Sequence, residues 1–392
     1  MGEKELREKA ISRYENGESP QHIYQSLGRS NVWFFKWLKR YQRHDPDWST
    51  DLSRKPQRSP ASIKKPMEQA IIKIRKQLEL TPYAQIGALS IQGHLAQQGL
   101  DIPIPTINKV LHRNHLIRKK PHYQTKNISY PAVEVTRSNV VHQFDVVGPR
   151  YLKHDGSFYA ANIIDAYDRR CVVHPLRQQT KTDIIQALIR SWQKLGLPQY
   201  LQMDNKLSLR GSNRYPHSVG LVIRRCLYLG IQPVFIPLHE PWRNGIIEKF
   251  QDVFDKTFFR IQDFKNFTQV VHQASKFEQF HNQHHRYSTL AGKTPAEKKS
   301  GKVRYLPKNF VVPERLPIAP GFIHLIRFIR SSNRLDIFGE TFSLPAQLTY
   351  EYVWATIDTQ QQTLALYHEK QLVKIFKYPL PKTVMLLAQG EL

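Results

Sequence analysis

The run at 139–152, NVVHQFDVVGPRYL, constrains the fold most: it reads as a Val-rich buried strand and yet carries Asp145 at its centre. A carboxylate between Phe144 and Val146-Val147 is costly to bury alone, so such a strand points to a cation, a metal or an active site beside it. The residues that follow set its surroundings. SFYAANIIDAYDRRCVVHPL reads as two more strands joined by a turn at Asp168-Arg169-Arg170, and a helix then runs from Thr182 to Leu195 until Gly196 stops it. Tyr200 to Met203 is a short strand ending in Asp204-Asn205, and LGIQPVFIPL supplies another strand. Asp204 therefore sits at a strand's carboxyl end, where open α/β sheets place their ligands.

A third carboxylate follows a turn. The loop His239-Glu240-Pro241-Trp242-Arg243-Asn244-Gly245 bends at Asn244-Gly245, and the helix IIEKFQDVFDKTFFRI starts directly behind it. That puts Glu248 in the first helical turn, able to point back at the strand ends. Ile247, Val253, Phe254, Phe258 and Ile261 would pack on the sheet, with Lys249 and Lys256 on the other side. Two strand-end Asp and one helix-start Glu make a hard-oxygen donor set for two Mg²⁺ ions, with Mn²⁺ able to substitute. Two ions about 3.5 to 4 Å apart would activate a water or 3′-hydroxyl on one side of a phosphodiester and stabilise the leaving oxygen on the other. The plainer alternative is a set of salt-bridged acids, since residues 139–260 hold ten Asp or Glu and Asp165 also closes a strand.

Charge names the class of partner. Lys and Arg number 58 against 32 Asp and Glu, a formal charge of +26 spread over all three thirds of the 392 residues and densest in the first. A polyanion held through its phosphates along the whole molecule is the expectation. The first third holds two helical units. Residues 4–15 form a helix, Ser19-Pro20 starts a second, Gly28 makes a tight turn and Ser30 caps a third with Phe34, Leu38 and Tyr41 inside. This helix-turn-helix would present Asn31, Trp33, Lys36 and Arg40 to a major groove. Residues 46–66 read as a basic, Pro-rich linker. Helices at 68–78, 87–97 and from Thr106 follow, and Thr106, Asn108, Lys109, His112 and Arg113 form a second candidate reading face. Arg118-Lys119-Lys120 is a phosphate contact or a solvated helix end.

The same residues carry a resemblance. HQFDVVG, IIDAYDRR, MDN and PWRNGIIEKF, with HNQHHRYSTLAGKTPAE downstream, are similar to the motifs of insertion-sequence transposases of the retroviral-integrase superfamily, whose core is ribonuclease-H-like. The resemblance implies a metal-dependent DNA transposase with Asp145, Asp204 and Glu248 as catalytic metal ligands and Asp165 as a non-ligand. It also implies DNA contacts from Arg243, Asn244, Lys249 and Lys256, and no cofactor besides the metal. The implied partners are double-stranded DNA, as terminal inverted repeats and target, and further copies of the chain on that DNA. An alternative is a transposase-derived DNA-binding regulator that has lost catalysis. Where the family usually has Asp-Asn-Gly, this sequence has Asp204-Asn205-Lys206, and 43 residues separate Asp204 from Glu248, which implies an inserted loop around KLSLRGSNRYPHS.

Cys171 and Cys226 are the only cysteines, so neither a disulfide scaffold nor the His/Cys zinc module of retroviral integrases is available. The charged start MGEKELREKAISRYENG has no signal-like apolar core and no stretch reaches membrane-spanning length, so a cytoplasmic place on DNA is expected. After Pro295 comes a basic linker, then short runs FIHLIRFI, ETFSLP, YVWATID, TLALYH and LVKIFKY, expected to form a small β-barrel, SH3-like by resemblance. The expected architecture is thus multidomain. It has an all-α helix-turn-helix domain at 1–45, a linker at 46–66 and a second helix-turn-helix or winged-helix-like domain at 67–122. An α/β ribonuclease-H-like catalytic core at 135–300 and a C-terminal barrel at 320–380 complete it.

Overall fold

Residues 1–63 and 64–392 form two units in a computed structural model that describes residues 2–52, 63–117, 129–211, 217–311, 313, 315–381 and 385–386. Residues 53–62 of the basic linker, the run Arg118-Lys119-Lys120 and positions 212–216 of the inserted loop lie outside the described residues.

The first unit packs α1 (Glu3–Glu15), α2 (Pro20–Ser26) and α3 (Asn31–Gln42) around Ala10, Ile11, Ile23, Phe34 and Leu38. The sequence signals place its breaks. Ser19 and Ser30 accept hydrogen bonds from the His22 and Trp33 amides, capping α2 and α3. Gly28, at φ 63°, makes the left-handed turn between them.

The second unit opens with α4 (Lys65–Leu80), α5 (Ala88–Gln97) and α6 (Ile104–Arg113), which bury Ile71, Ile74, Leu78, Ile91, Leu95, Ile107, Val110 and Leu111. Between α4 and α5, Tyr83 anchors these helices to the α/β core. Its hydroxyl donates to Gln273 Oε1 at 2.7 Å and its ring meets Phe277 at 5.8 Å.

The core sheet begins as an antiparallel meander of β1 (Val141–Tyr151), β2 (Ser157–Asp165) and β3 (Cys171–Leu176). After α7 (Lys181–Leu195), β4 (Tyr200–Met203) pairs in parallel with β1. The one-turn α8 (Leu207–Arg210) and α9 (Leu221–Tyr228) lead to β5 (Gln232–Phe235), parallel to β4. A 3₁₀ turn at Pro241–Asn244 runs into α10 (Gly245–Phe254), a π-type turn at Asp255–Phe259, α11 (Phe267–His284) and the short α12 (Pro295–Lys298). Alternation along β2 sends Ala161 and Ile163 toward Leu188 and Trp192 of α7. Phe158, Ala160 and Ile164 go to the opposite face, among Phe250, Phe254 and Phe277 of α10 and α11.

The remaining strands are β6 (Arg315–Leu316), β7 (Phe322–Phe328), β8 (Arg334–Ile337), β9 (Glu340–Ser343), β10 (Tyr352–Asp358), β11 (Thr363–His368), β12 (Gln371–Lys377) and β13 (Met385–Leu386). They do not close the expected barrel. β7 pairs in parallel with β5, and one open nine-stranded sheet results, in the order β12-β11-β10-β7-β5-β4-β1-β2-β3. The reason lies in β7 itself. Ile323, His324, Leu325, Ile326 and Arg327 are all buried, which marks a strand covered on both faces in the middle of a sheet rather than one alternating between barrel interior and solvent. Val353, Ala355, Leu364 and Leu366 share one core with α7 and β4, so 320–380 is an extension of the α/β sheet rather than a separate barrel.

Buried histidines give this unit a pH response. His281 and His285 of the α11 end are 0% and 1% exposed. Burial, then the neighbouring His285, hold the His281 imidazole well below its usual range, and burial pushes His285 down to about 4 against its bond to the Tyr83 carbonyl. The unfolded chain protonates these rings near pH 6.5 and the folded one only at lower pH. Their contribution is therefore intact above about pH 6.5 and is lost, at roughly 1.4 kcal/mol per ring and pH unit, as pH falls toward 4. The thermal midpoint is expected to fall steadily from pH 7 to pH 4.5, with a shallower slope in His285→Gln; equal slopes in the two proteins would remove this account.

Candidate active site

Parallel pairing of β1 with β4 brings the two aspartates together. The register aligns Val141 with Tyr200, His142 with Leu201 and Gln143 with Gln202, and two further positions set Asp145, midway along β1 rather than at its end, level with Asp204 just past the carboxyl end of β4. Between them stands Lys206. Its Nζ is 3.0 Å from Asp145 Oδ1, 3.1 Å from Asp204 Oδ2 and 3.1 Å from the Val146 carbonyl oxygen. Burial disfavours this ammonium, but Asp145 and then Asp204 outweigh burial and raise its pKa.

α10 delivers Glu248 to the same end of the sheet. The side-chain oxygen of Gln143 on β1 accepts from the amides of Ile246 and Ile247 at 3.1 and 3.0 Å, satisfying donors that a helix start leaves open. Asn244, 3% exposed, donates to the Phe144 carbonyl at 3.3 Å, and Gln202 donates to the Arg243 carbonyl and Asn244 Oδ1, both at 3.2 Å. The start of α10 is thereby fastened to both aspartate-bearing strands. One helical turn beyond Glu248, Gln251 donates to Asp145 Oδ2 at 2.8 Å, so this helix face looks onto Asp145. Burial and then the Asp145 charge raise the Glu248 carboxyl above its ordinary value.

Asp165 has a different role. It is fully buried; its Oδ2 accepts from the Asn139 amide and its Oδ1 from the amides of Tyr167 and Asp168, holding the turn after β2. Burial alone would raise its pKa, but the His142 ring and these amides lower it.

The donor chemistry suits a hard divalent cation, being all oxygen, with two carboxylates already turned toward one positive centre. That centre is the Lys206 ammonium, and among the described residues no group of three or more His, Cys, Asp or Glu stands at metal-holding distance. Asp145 and Asp204 are thus assembled around a cation, and Glu248 faces Asp145 without joining them on it.

No family model and no curated protein matches this sequence. Solved structures do. The catalytic core domain of HTLV-2 integrase in complex with magnesium, in its trimeric form, is 18% identical; the match covers 42% of this chain and 98% of that one at a TM-score of 0.34. A chain of the simian T-cell lymphotropic virus intasome in complex with PP2A regulatory subunit B56 gamma is 15% identical over 76% of this chain and 95% of that one, at a TM-score of 0.37. The catalytic core domain of BIV integrase is 15% identical over 41% and 92%, at a TM-score of 0.30.

The candidate DNA-contacting residues separate into two groups. Asn31, Lys36, Asn108, Lys109, Lys249 and Lys256 are exposed, although Lys249 and Lys256 both pair with Asp252. Arg113 is exposed and ion-paired with Glu68 at 2.6 Å, and Trp33 and Thr106 are half-buried. Arg40, Arg243 and Asn244 are turned inward. Arg40 donates to the carbonyls of Thr50 and Asp47 and pairs with Asp45, so the outer face of α3 carries Val32, Phe35 and Lys39 instead. Arg243 donates to Glu240 Oε2 and to the Tyr352 hydroxyl while lying over the Tyr130 ring at 4.1 Å. A helical wheel cannot show these engagements, because each depends on partners outside the helix.

Sequence reasoning missed two further residues. Gln251 could have been found from its spacing of three after Glu248. Arg327 could not. It reaches from β7 to donate to Asn205 Oδ1 at 2.9 Å and to the Ile236 carbonyl at 3.3 Å, and burial pushes its pKa down to about 9.

Proposed function

We propose that the chain is a DNA transposase, a polynucleotidyl transferase that binds the ends of its element, cleaves there and joins the freed 3′-hydroxyl to target DNA. What supports this reading is the meeting of Asp145, Asp204 and the head of α10 with Glu248 at one end of a mixed sheet, in a chain of charge +26. Asp145, Asp204 and Glu248 would hold the metal; when bound, Mg²⁺ supplies charge stabilisation at the phosphoryl group and a more acidic water or hydroxyl. The chain's own residues do the positioning. Gln251 fixes the Asp145 carboxylate with its other oxygen on Lys206, and Gln143 with Asn244 fixes the start of α10 and so Glu248. Exposed Lys249 on α10 and Lys256 on the π-type turn after it would take phosphates of the incoming duplex, and the exposed face of α3 would read a groove. Joining one DNA end to another requires two ends held together, so a multimer on DNA is part of the proposal. Among the described residues no helix is long and apolar enough to cross a membrane.

The Lys206 ammonium between the aspartates favours a second reading, a DNA-binding regulator that keeps the fold and lacks the chemistry. A labelled duplex carrying the DNA that borders the gene separates them when incubated with Mg²⁺ or Mn²⁺. Joined product is the expected result. Cut product alone would make the protein a nuclease, and binding without cutting or joining would leave the regulator.

A further inference from the structure

We propose that Lys206 fills, with its own ammonium, the cation position between Asp145 and Asp204, so that a divalent ion enters there only by displacing it. The inference rests on the carboxylate-site reading above and specifies what holds that site in the absence of metal. Three oxygens surround Nζ at 3.0 to 3.1 Å, two of them carboxylate and one the Val146 carbonyl. That spacing is right for hydrogen bonds from an ammonium, whereas Mg²⁺ draws its oxygens to about 2.0–2.1 Å. The same oxygens therefore cannot serve both cations, and like charge forbids the two from standing side by side between the same carboxylates.

The chain presents this lysine from a fixed turn. Lys206 donates its own amide to Asp204 Oδ1 at 3.1 Å, and its carbonyl accepts from Leu209 and Arg210 at the start of α8. The preceding Asn205 is clamped by Arg327 and by its own bond to the Ile236 carbonyl. Beyond the turn, Gly211 and Gly220 close the inserted loop in backbone contact, so near that a Cβ on either would stand within 3 Å of the other's backbone. The lysine side chain is nevertheless 41% exposed, which leaves the ammonium a way out to water. A glycine at this position, as in Asp-Asn-Gly, would have nothing to place between the aspartates. Lys206 is therefore the determinant of metal occupancy in this chain.

The test is Mn²⁺ binding to the full chain without DNA, read by the spin-resonance signal of free Mn²⁺ and by calorimetry. Lys206→Ala and Lys206→Gln are both expected to bind Mn²⁺ about tenfold more tightly than the wild type, or to take up one more ion per chain, because either removes the competing charge. Adding Asp204→Asn to Lys206→Ala should abolish the gain. Mn²⁺ should also raise the unfolding temperature more in the lysine variants than in the wild type. Equal affinity and stoichiometry in wild type and both variants would overturn the role of Lys206 and leave the carboxylate site standing. Absence of Mn²⁺ binding in all of them, with unfolding curves showing folded protein, would overturn both.

Discussion

Asp145→Asn is expected to lower joining of a labelled DNA end by more than about 10³-fold while leaving DNA affinity within about twofold. Asp145 is the hub of the site. One carboxylate oxygen meets Lys206 and the other Gln251, and its charge is what raises the Glu248 carboxyl besides burial. Asparagine has nearly the same shape and keeps an oxygen for one of these donors, so the fold should survive and the loss should fall on the chemistry. Affinity should hold because phosphate contacts come from the basic surface, and removing one negative charge near the DNA weakens nothing that binds it. Asp252→Asn is the control. Asp252 lies on the same helix but pairs with Lys249 and Lys256 on its exposed side, so its loss should leave joining within about twofold. If Asp145→Asn joins DNA at the wild-type rate, or if Asp252→Asn is equally impaired, the three-carboxylate reading is wrong. Quenched-flow or gel assays of joined product, with binding followed by fluorescence anisotropy, measure both quantities.

What could be read from the sequence, and what could not, divides along how local each signal is. Asp145 in a Val-rich strand, Asp204 at a strand end and Glu248 behind an Asn-Gly turn were all placed by the chain around them, and β1, β4 and α10 stand where those patterns put them. Caps at Ser19 and Ser30 were equally local. Partners far along the chain were invisible. Nothing in FIHLIRFI says that its neighbour is β5, with Val234 paired to His324 and Phe235 to Leu325, yet that pairing turns an expected barrel into four more strands of one sheet. Only the folded chain shows it, in the continuous burial of Ile323 to Arg327 where a barrel strand would alternate. Lys206 shows the same limit at shorter range. Its departure from glycine is plain in the sequence, but the direction of its side chain is set by the turn that Arg327 on β7 and Ile236 just past β5 hold. Arg40 and Arg243 pass for outward charges in the sequence for the same reason, since Asp45 and Glu240 meet them only in the folded chain.

Phe277→Ala is expected to destabilise the second unit by about 3–5 kcal/mol, which for a protein of this size lowers the unfolding temperature by on the order of 10 °C. Phe277 is fully buried on α11, with its ring 5.5 Å from Phe254, 5.4 Å from Phe258, 6.1 Å from Phe250 and 5.8 Å from Tyr83. It is the point where α10, the π-type turn after it and the helical segment at 65–113 meet the core. Truncation leaves a cavity that the four neighbouring rings, spread over three backbone elements, cannot all collapse into. The loss reaches the candidate active site through α10, because the helix that carries Glu248 and Gln251 is held from behind by Phe250 and Phe254 against this ring. Joining activity should therefore fall well below the folded fraction at temperatures where the variant is still native. Phe277→Leu, which keeps most of the volume, should cost less than about 1.5 kcal/mol and retain activity. Val271→Ala, at a position on α11 that is 42% exposed, should change stability by less than about 0.5 kcal/mol. Denaturant unfolding of the three variants, alongside joining assays at 20 °C, checks the order. Were Phe277→Ala no less stable than Val271→Ala, α11 would not be the brace that positions α10.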